Sequence, residues 1–331
     1  MGKIIVLHDV SFTLHNLGRV ALVSNEGENQ ELNYSEMYFT IESLEDNNTI
    51  RWVRSSGPTN ISLSYSIDNG INWTNLTLSS STDLFTLNTG DKAMLKGIND
   101  NFATAYNAYN AIWSKDNSKK FKVYGNVMSL LFGNNFTSNS EFTIGTTYNL
   151  CGLFYGATTL IDASNLILPA SECTEGCYNE MFRDCTNLSY GPKVLPATQS
   201  AASCYSSMFE CCINLENSGL PEINLTNMAE NACLRMFCMD RNNKITTPKM
   251  TKSPILRCAT TVSGCYEEMF KGNGNLVEVT CLKTDNTNAT SNWLVNTSST
   301  GTFRKSPLKT NWNSNTSAIP SGWTVVDYVE E

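Results

Sequence analysis

A short phrase recurs in the second half of the chain: a tyrosine, two variable residues, then Met-Phe. The copies begin at Tyr178, Tyr205 and Tyr266, and at Cys233, where cysteine replaces the tyrosine. A degenerate copy, Leu153-Phe154, lies upstream, and the first residues of the five pairs are 28, 27, 28 and 33 residues apart. Periods of this length mark architectures in which each unit buries its apolar face against its neighbours. The recurrence therefore predicts a stacked solenoid with one continuous core.

The apolar residues of each unit are predicted to form that core. In the first full copy they fall at i, i+1, i+4, i+5 and i+8, which is one stripe of a short helix. The predicted core residues are Phe154, Cys177, Tyr178, Met181, Phe182, Cys204, Tyr205, Met208, Phe209, Met236, Phe237, Tyr266, Met269 and Phe270.

The rest of each unit predicts a turn and a short extended segment. A leucine follows the phenylalanine by six residues, at Leu160, Leu188, Leu215 and Leu276. Proline phrases such as Leu195-Pro196-Ala197 then end the segment, because proline cannot continue a helix and holds its predecessor extended. Each unit is therefore predicted to be helix, turn, strand and corner. The expected fold is an α/β solenoid of the leucine-rich-repeat type with a small parallel sheet.

Several of these phrases resemble a known family. Leu195-Pro196-Ala197-Thr198 and the segment from Cys204 to Leu215 look like the BspA-like leucine-rich repeats of gut Bacteroides and their crAss-like phages. The resemblance covers roughly residues 145–331. Later repeats depart from it, since Asp240 and Asn273 stand where earlier repeats have cysteine. The resemblance implies a surface-exposed recognition or adhesion role without catalytic residues.

Composition narrows the classes of partner and cofactor. The net charge of −8 argues against nucleic acid, and no apolar run approaches the ~20 residues of a membrane span. All 12 cysteines lie from Cys151 onward, whereas the chain's two histidines are His8 and His15. This arrangement favours reduced cysteines packed as small apolar residues, with some disulfides as the alternative. No metal or other cofactor is predicted.

The first part of the chain predicts a multi-domain protein that begins with β structure. Alternating strands are predicted at Met37–Ile41, Ile50–Val53, Ile61–Tyr65, Asn75–Leu78, Leu84–Leu87 and Lys92–Leu95, and residues 99–120 are predicted to be a loop. The predicted domains are an attachment arm (1–28), an antiparallel all-β sandwich (29–140), the solenoid (141–282) and a C-terminal cap (283–331). The apolar run Ile4–Leu7 is too short for a secretory signal, which has 7–15 such residues.

One motif in the sandwich admits a catalytic interpretation. Ser66, Asp68, Gly70 and Trp73 match the Asp-box pattern found in several copies in sialidases. The favoured interpretation is a tight hairpin in which aspartate caps the turn and glycine supplies a positive φ. Sugar stacking by Trp52, Trp293 or Trp312 is likewise weighed against a structural role, and the structural role is favoured.

The sequence therefore predicts a non-catalytic structural protein of a bacteriophage virion, such as a head or tail fibre or a decoration protein. It would be made in the host cytoplasm, contact other virion proteins through its arm, form a homo-oligomer, and bind a host surface glycan or protein. The alternative is an exported bacterial cell-surface adhesin. A glycan-cleaving enzyme is the remote alternative.

Overall fold

The computed structural model describes residues 32–240, 247–310, 312 and 319–330. The protein is mostly β, with sheets in its first part and a β-solenoid of about five turns in its C-terminal part. The predicted attachment arm, residues 1–28, lies outside the described residues. The first ten strands are β1 Phe39–Ser43, β2 Asn48–Ser55, β3 Ile61–Ser66, β4 Thr74–Leu78, β5 Thr82–Leu87, β6 Lys92–Lys96, β7 Ala103–Ala105, β8 Ala108–Ser114, β9 Phe121–Asn126 and β10 Leu160–Ile167.

Two sheets form the first part of the molecule. One has the strand order β10-β9-β1-β6-β3-β4 and the other β5-β2-β8-β7. Their inner faces share one apolar core, and the Tyr65 ring of the first sheet lies 5.0 Å from the Phe85 ring of the second. Alternate residues of β2 are buried, as expected of a strand with one face toward a core. This arrangement is of the predicted sandwich type.

The prediction of a loop over residues 99–120 is wrong, because β7 and β8 lie there. The buried polar residue Asn110 of this segment is hydrogen-bonded inside the core. Asn110 accepts a hydrogen bond from Trp52 Nε1 (3.0 Å) and donates to the carbonyls of Pro58 and Phe102 (3.1 and 3.0 Å). Buried polar groups are tolerated when they are hydrogen-bonded in this way. A polar composition was therefore mistaken for exposure.

The predicted helix of each repeat is also wrong: the Tyr-x-x-Met-Phe phrase forms consecutive turns. In the coil that contains Tyr178, Gly176, Glu180 and Asp184 have φ values of 62°, 54° and 61°. A left-handed residue at every fourth position cannot belong to a right-handed helix. The described residues contain one α-helix, Ser129–Phe132, and short 3₁₀ segments at Tyr34–Glu36, Gly133–Ser138 and Asn217–Gly219. The second part is therefore a β-solenoid, and its α/β character is not found.

Alternate amides of each coil donate to the next coil. We number the coils by these pairs: the first contains Leu153-Phe154, the second Met181-Phe182 and the third Met208-Phe209. Four amides of the second coil donate to carbonyls of the third: Tyr178 to Cys204 (3.0 Å), Glu180 to Ser206 (2.9 Å), Phe182 to Met208 (2.9 Å) and Asp184 to Glu210 (2.9 Å). The amides between them close turns within the coil, as Met181 does to the Tyr178 carbonyl at 3.2 Å. Backbone donors are thus satisfied without a helix, and the coils stack as neighbouring strands do.

The predicted core residues lie inside this stack, each at most 3% exposed. Five phenylalanine rings form a column: Phe154, Phe182, Phe209, Phe237 and Phe270 are successively 5.3, 5.3, 5.4 and 5.8 Å apart. Tyr178 and Tyr205 stack beside it at 5.8 Å with planes 3° apart. Offset stacking of this kind adds to the energy of burial.

Besides the turns, the solenoid contains short parallel strands. These are β11 Val194–Leu195, β12 Glu222–Ile223, β13 Lys252–Leu256, β14 Glu278–Cys281, β15 Gly301–Lys305 and β16 Trp323–Asp327. β11 pairs with β12, and the last four form one sheet in chain order. The predicted parallel sheet is therefore present in two pieces. Its last two strands lie in the predicted C-terminal cap.

Both sheets of the sandwich continue into the solenoid. β10 pairs in parallel with β9, which extends the first sheet. Beside the second sheet, the amides of Phe102 and Ile112 donate to the carbonyls of Asn149 and Leu153 in the first coil, both at 2.8 Å. The two parts consequently share one apolar core. The domain boundary at residues 140 and 141 stays a prediction.

Candidate functional site

The recurring cysteines are neutral packing residues. All 12 are free thiols. Cys185 and Cys212 Sγ donate to the carbonyls of Phe154 and Phe182, each at 3.0 Å. Burial raises the pKa of the Cys185 and Cys265 thiols, that of Cys265 to about 12. Since the thiolate is the reactive form, these thiols are unsuited to nucleophilic chemistry.

The Asp-box residues form a hydrogen-bonded hairpin between β3 and β4. Asp68 Oδ1 accepts hydrogen bonds from the Asn72 amide (2.9 Å) and the Ser66 hydroxyl (2.7 Å), and Trp73 Nε1 donates to the Gly70 carbonyl (3.0 Å). The Asn72 amide, followed by the Ser66 hydroxyl, lowers the pKa of Asp68 to about 2. A general acid needs a raised pKa, so this carboxylate is suited to holding the turn.

A lysine that the sequence did not reveal completes this hairpin. Lys96 Nζ lies 3.7 Å from the centre of the Trp73 ring, a cation–π contact. The same ammonium donates to Asn134 Oδ1 at 2.9 Å, and the Tyr38 ring contacts Trp73 edge-on at 5.2 Å. Lys96 and Tyr38 therefore hold the half-buried Trp73 ring in place within the hairpin.

Charged side chains of the turns form a chain of ion pairs that runs across the coils. Arg183 pairs with Glu180 in its own coil and lies 3.3 Å from Glu210 of the next, without hydrogen-bond geometry. The chain continues from Glu210 to Arg235 (2.8 Å), from Arg235 to Glu268 (2.5 Å) and from Glu268 to Lys271 (2.8 Å). We call these six residues the ion-pair chain.

The ion-pair chain neutralises its own charges. Glu210 is only 1% exposed and has an arginine on either side. Burial raises the pKa of Glu180, with Arg183 opposing the shift. Buried carboxylates are stable only with such partners. These charges therefore hold neighbouring coils in register and are already engaged with one another.

Half-buried aromatic side chains form a surface where the sandwich meets the solenoid. We call Tyr109, Trp113, Tyr148 and Tyr155 the aromatic strip. Tyr109 and Trp113 lie four residues apart on β8 and thus on one face of that strand. Tyr148 and Tyr155 belong to the first coil. Tyr106, 57% exposed, lies in the turn between β7 and β8.

Three left-handed glycines let these rings lie against the coil backbone. A Cβ on Gly152 would lie 2.8 Å from Tyr109 Cγ, and one on Gly176 would lie 2.5 Å from Tyr148 Cδ1. A Cβ on Gly156 would lie 3.3 Å from Trp113 Cζ2. The φ values of these glycines, 66°, 62° and 74°, are also costly for other residues. Glycine is therefore required at the first two positions both for the backbone and for the ring above it.

Tyr155 joins the aromatic strip to the ion-pair chain. Its ring centre lies 4.8 Å from that of Tyr109, and the Arg183 guanidinium lies 5.6 Å from it. Its carbonyl accepts a hydrogen bond from Trp113 Nε1 at 2.6 Å. Burial raises the pKa of Tyr109 to about 12, so its phenol stays protonated at neutral pH. The rings are thus held from several sides.

Other aromatic and polar features are less suited to binding. Trp52 and Trp293 are fully buried, and Trp312 stacks on Trp293 at 5.7 Å, so these tryptophans are part of the core.

An open depression of about 600 Å³ is lined by Asn47, Thr49, Lys115, Asp116 and Asn117. Hydrogen bonds from Ser118 lower the pKa of Asp116, the opposite of what a general acid requires. Within the described ranges, no group of three His, Cys, Asp or Glu residues could hold a metal ion.

No protein-family model, curated protein or solved structure matches this chain. Among the helices of the described residues, none is long and apolar enough to cross a membrane.

Proposed function

We propose that this protein is a structural component of a bacteriophage virion that displays a recognition surface to the host cell. The observation that carries this proposal is that each coil has recurring residues in its core and variable residues at exposed positions. The residues that recur fill a continuous core, whereas exposed positions of the short strands, such as Val194, Glu222 and Lys252, differ from coil to coil. Repeat proteins with this division present extended binding surfaces on a rigid frame.

An asparagine ladder supports the finer proposal of BspA-like leucine-rich repeats. The side chains of Asn187, Asn214 and Asn275 each donate to a carbonyl of the preceding coil, at 2.7, 2.8 and 2.8 Å. The leucine that follows each asparagine is fully buried. A leucine and an asparagine at fixed positions of each unit are features of leucine-rich repeats, although here consecutive turns replace the helix.

In this proposal the arm, residues 1–28, contacts other virion proteins, and the sandwich separates it from the solenoid. Assembly as a homo-oligomer in many copies would multiply weak single contacts with a host glycan or protein into strong attachment. The exported cell-surface adhesin is the alternative, because the same surface would serve a bacterium that binds its surroundings.

Two measurements on native material test the proposal. Antibodies raised against residues 32–331 should label purified particles in electron micrographs, and mass spectrometry of washed particles should detect the protein. The purified protein should also bind saturably to host cells. Absence from particles together with labelling of bacterial envelopes would replace the virion component by the adhesin. Turnover of a glycan panel by the protein would favour the enzyme.

A further inference from the structure

We propose that the aromatic strip is a binding site for an uncharged glycan, in which the rings of Tyr109, Trp113, Tyr148 and Tyr155 contact the CH faces of pyranose units. This inference rests on the proposed recognition function and assigns it to one surface. One face of many pyranoses carries only C–H bonds, whereas hydroxyl groups surround its edge. Tyrosine and tryptophan suit such a ligand because each combines a large apolar ring with a polar group.

The strip is held in place before any ligand arrives. Tyr109 and Tyr148 lie against Gly152 and Gly176, Trp113 is tied by its hydrogen bond to the Tyr155 carbonyl, and Tyr155 contacts Tyr109. Rings fixed in this way lose little side-chain entropy on binding. A ligand can therefore bind to these rings even through a small contact area, such as one face of a sugar.

The charges beside the strip indicate that the ligand is uncharged. Arg183 is engaged by Glu180 and Glu210, and Arg51, which lies opposite Trp113 on β2, is 3.5 Å from Asp83. Lys115 lies 2.6 Å from the same Asp83. A sialylated or sulfated ligand would have to compete with these carboxylates for the same cations. Neutral sugars need only hydrogen bonds at their rims.

The spacing of the rings suits a chain of sugars. Tyr109 and Trp113 are four residues apart on β8, which places them roughly 13 Å apart at ~3.3 Å per residue. From the first coil, Tyr155 contacts Tyr109, and Tyr148 lies against the backbone at Gly176. A protein partner would instead need about 800 Å² of complementary surface. The strip consists of four rings and has paired charges beside it, which favours an oligosaccharide.

Binding to an array of neutral and acidic glycans, using protein multimerised on beads, tests the inference. We expect neutral oligosaccharides to bind and Tyr109→Ala, Trp113→Ala and Tyr148→Ala each to weaken binding at least ten-fold. Tyr109→Phe, which keeps the ring, should stay within about three-fold of the parent. Tyr190→Ala is the matched control, because Tyr190 is a 36% exposed tyrosine outside the strip.

A positioning variant separates loss of the site from loss of the fold. Gly176→Ala keeps every aromatic side chain but places a Cβ 2.5 Å from the Tyr148 ring. It should weaken glycan binding while near-ultraviolet circular dichroism still reports a packed core. If this variant unfolds, Tyr109→Phe against Tyr109→Ala at equal melting temperature carries the test.

Treated host cells distinguish failure of this inference from failure of the proposed function. If periodate oxidation of cell glycans abolishes attachment and protease treatment does not, the inference holds. Attachment that survives periodate and is lost with protease, glycan binding unchanged by the alanine variants, or no glycan binding at all would each overturn it. The recognition function would survive each of these results and would fail only if the protein did not attach to cells.

Discussion

The sandwich and the solenoid both pair their backbones fully, but with partners at different distances along the chain. In the sandwich this distance varies: β3 pairs with β4 across a short hairpin, whereas β1 pairs with β9 and Thr40 lies opposite Tyr124. In the solenoid, the amide of Phe182 pairs with the carbonyl of Met208, 26 residues later. Each buried position of the sandwich therefore has its own partners, as Trp52 has Asn110, whereas a solenoid position meets its own kind in the next coil. The solenoid consequently has columns of like residues, and its outside is free to vary.

Breaking the middle of the phenylalanine column should have the largest effect. Phe209→Ala removes a fully buried ring between Phe182 and Phe237, and we expect a loss of roughly 3–5 kcal/mol of unfolding free energy. Because each coil contacts only its neighbours, guanidinium unfolding should also become less cooperative. Phe85→Ala, in the sandwich, is the control that should lower stability without separating the transition. An unchanged unfolding midpoint for Phe209→Ala would contradict the stacked core.

Removing a hydrogen-bonding asparagine side chain should lower the unfolding free energy more in the sandwich than in the solenoid. Asn110→Ala leaves Trp52 Nε1 without its acceptor at zero exposure, and we expect a loss of about 1–3 kcal/mol. Asn214→Ala removes a half-exposed ladder bond and should cost about 0.5–1.5 kcal/mol. Urea unfolding of both variants measures the difference. Equal losses would show that a hydrogen bond of the asparagine ladder contributes as much stability as the buried network of Asn110.

Substitutions at left-handed residues of the solenoid should change its stability in opposite directions. Ser207 has a φ of 54°, so Ser207→Gly should stabilise the protein by up to about 1 kcal/mol. The reverse change, Gly152→Ala, also meets the Tyr109 ring and should destabilise by more than 1 kcal/mol. Melting temperatures with matched controls at exposed loops would show the two signs. Stabilisation by both substitutions would be incompatible with the turn geometry.

The pH dependence should differ in sign between the two parts, with the smallest effects. The folded pKa of Asp68, about 2, lies below its ordinary 3.8, so its contribution is present above pH 3.8 and is lost as pH falls through about 2. Burial raises the pKa of Glu180 above 4.5, so stability falls as pH rises through the window above 4.5. Asp68→Asn and Glu180→Gln should each abolish one trend in unfolding free energies measured from pH 2 to 7. Parallel curves for the parent and both variants would refute the assignment.

The repeats could be predicted from the sequence, but the conformation of each repeat could not. A stripe at i, i+4 and i+8 fits a helix of 3.6 residues per turn nearly as well as a row of four-residue turns. Glycine at the left-handed positions would have been the only local signal, and in the second coil it appears at Gly176 but not at Glu180 or Asp184. Pairing between coils compensates for the unfavourable φ of such residues. That compensation comes from a segment some 26 residues away and leaves no local trace.

The candidate site was missed for a related reason. Tyr109 and Trp113 lie in a segment that looked like a loop, and Tyr148 and Tyr155 lie in a degenerate repeat. The first coil brings them together by pairing beside β8. The Asp-box residues, by contrast, are neighbours in sequence, so their hairpin could be predicted from local geometry alone.

The recurrence of Tyr, Met, Phe and Cys side chains at a nearly constant period was sufficient to identify residues that lie inside a stacked core. Burial of apolar surface depends on composition and spacing, which are local and additive. Three features could be seen only in the folded protein: the units are turns, Arg183 and Glu210 pair across coils, and Tyr109 and Trp113 meet Tyr155 of the first coil. Those outcomes depend on which segments lie side by side, a property of the packed chain as a whole.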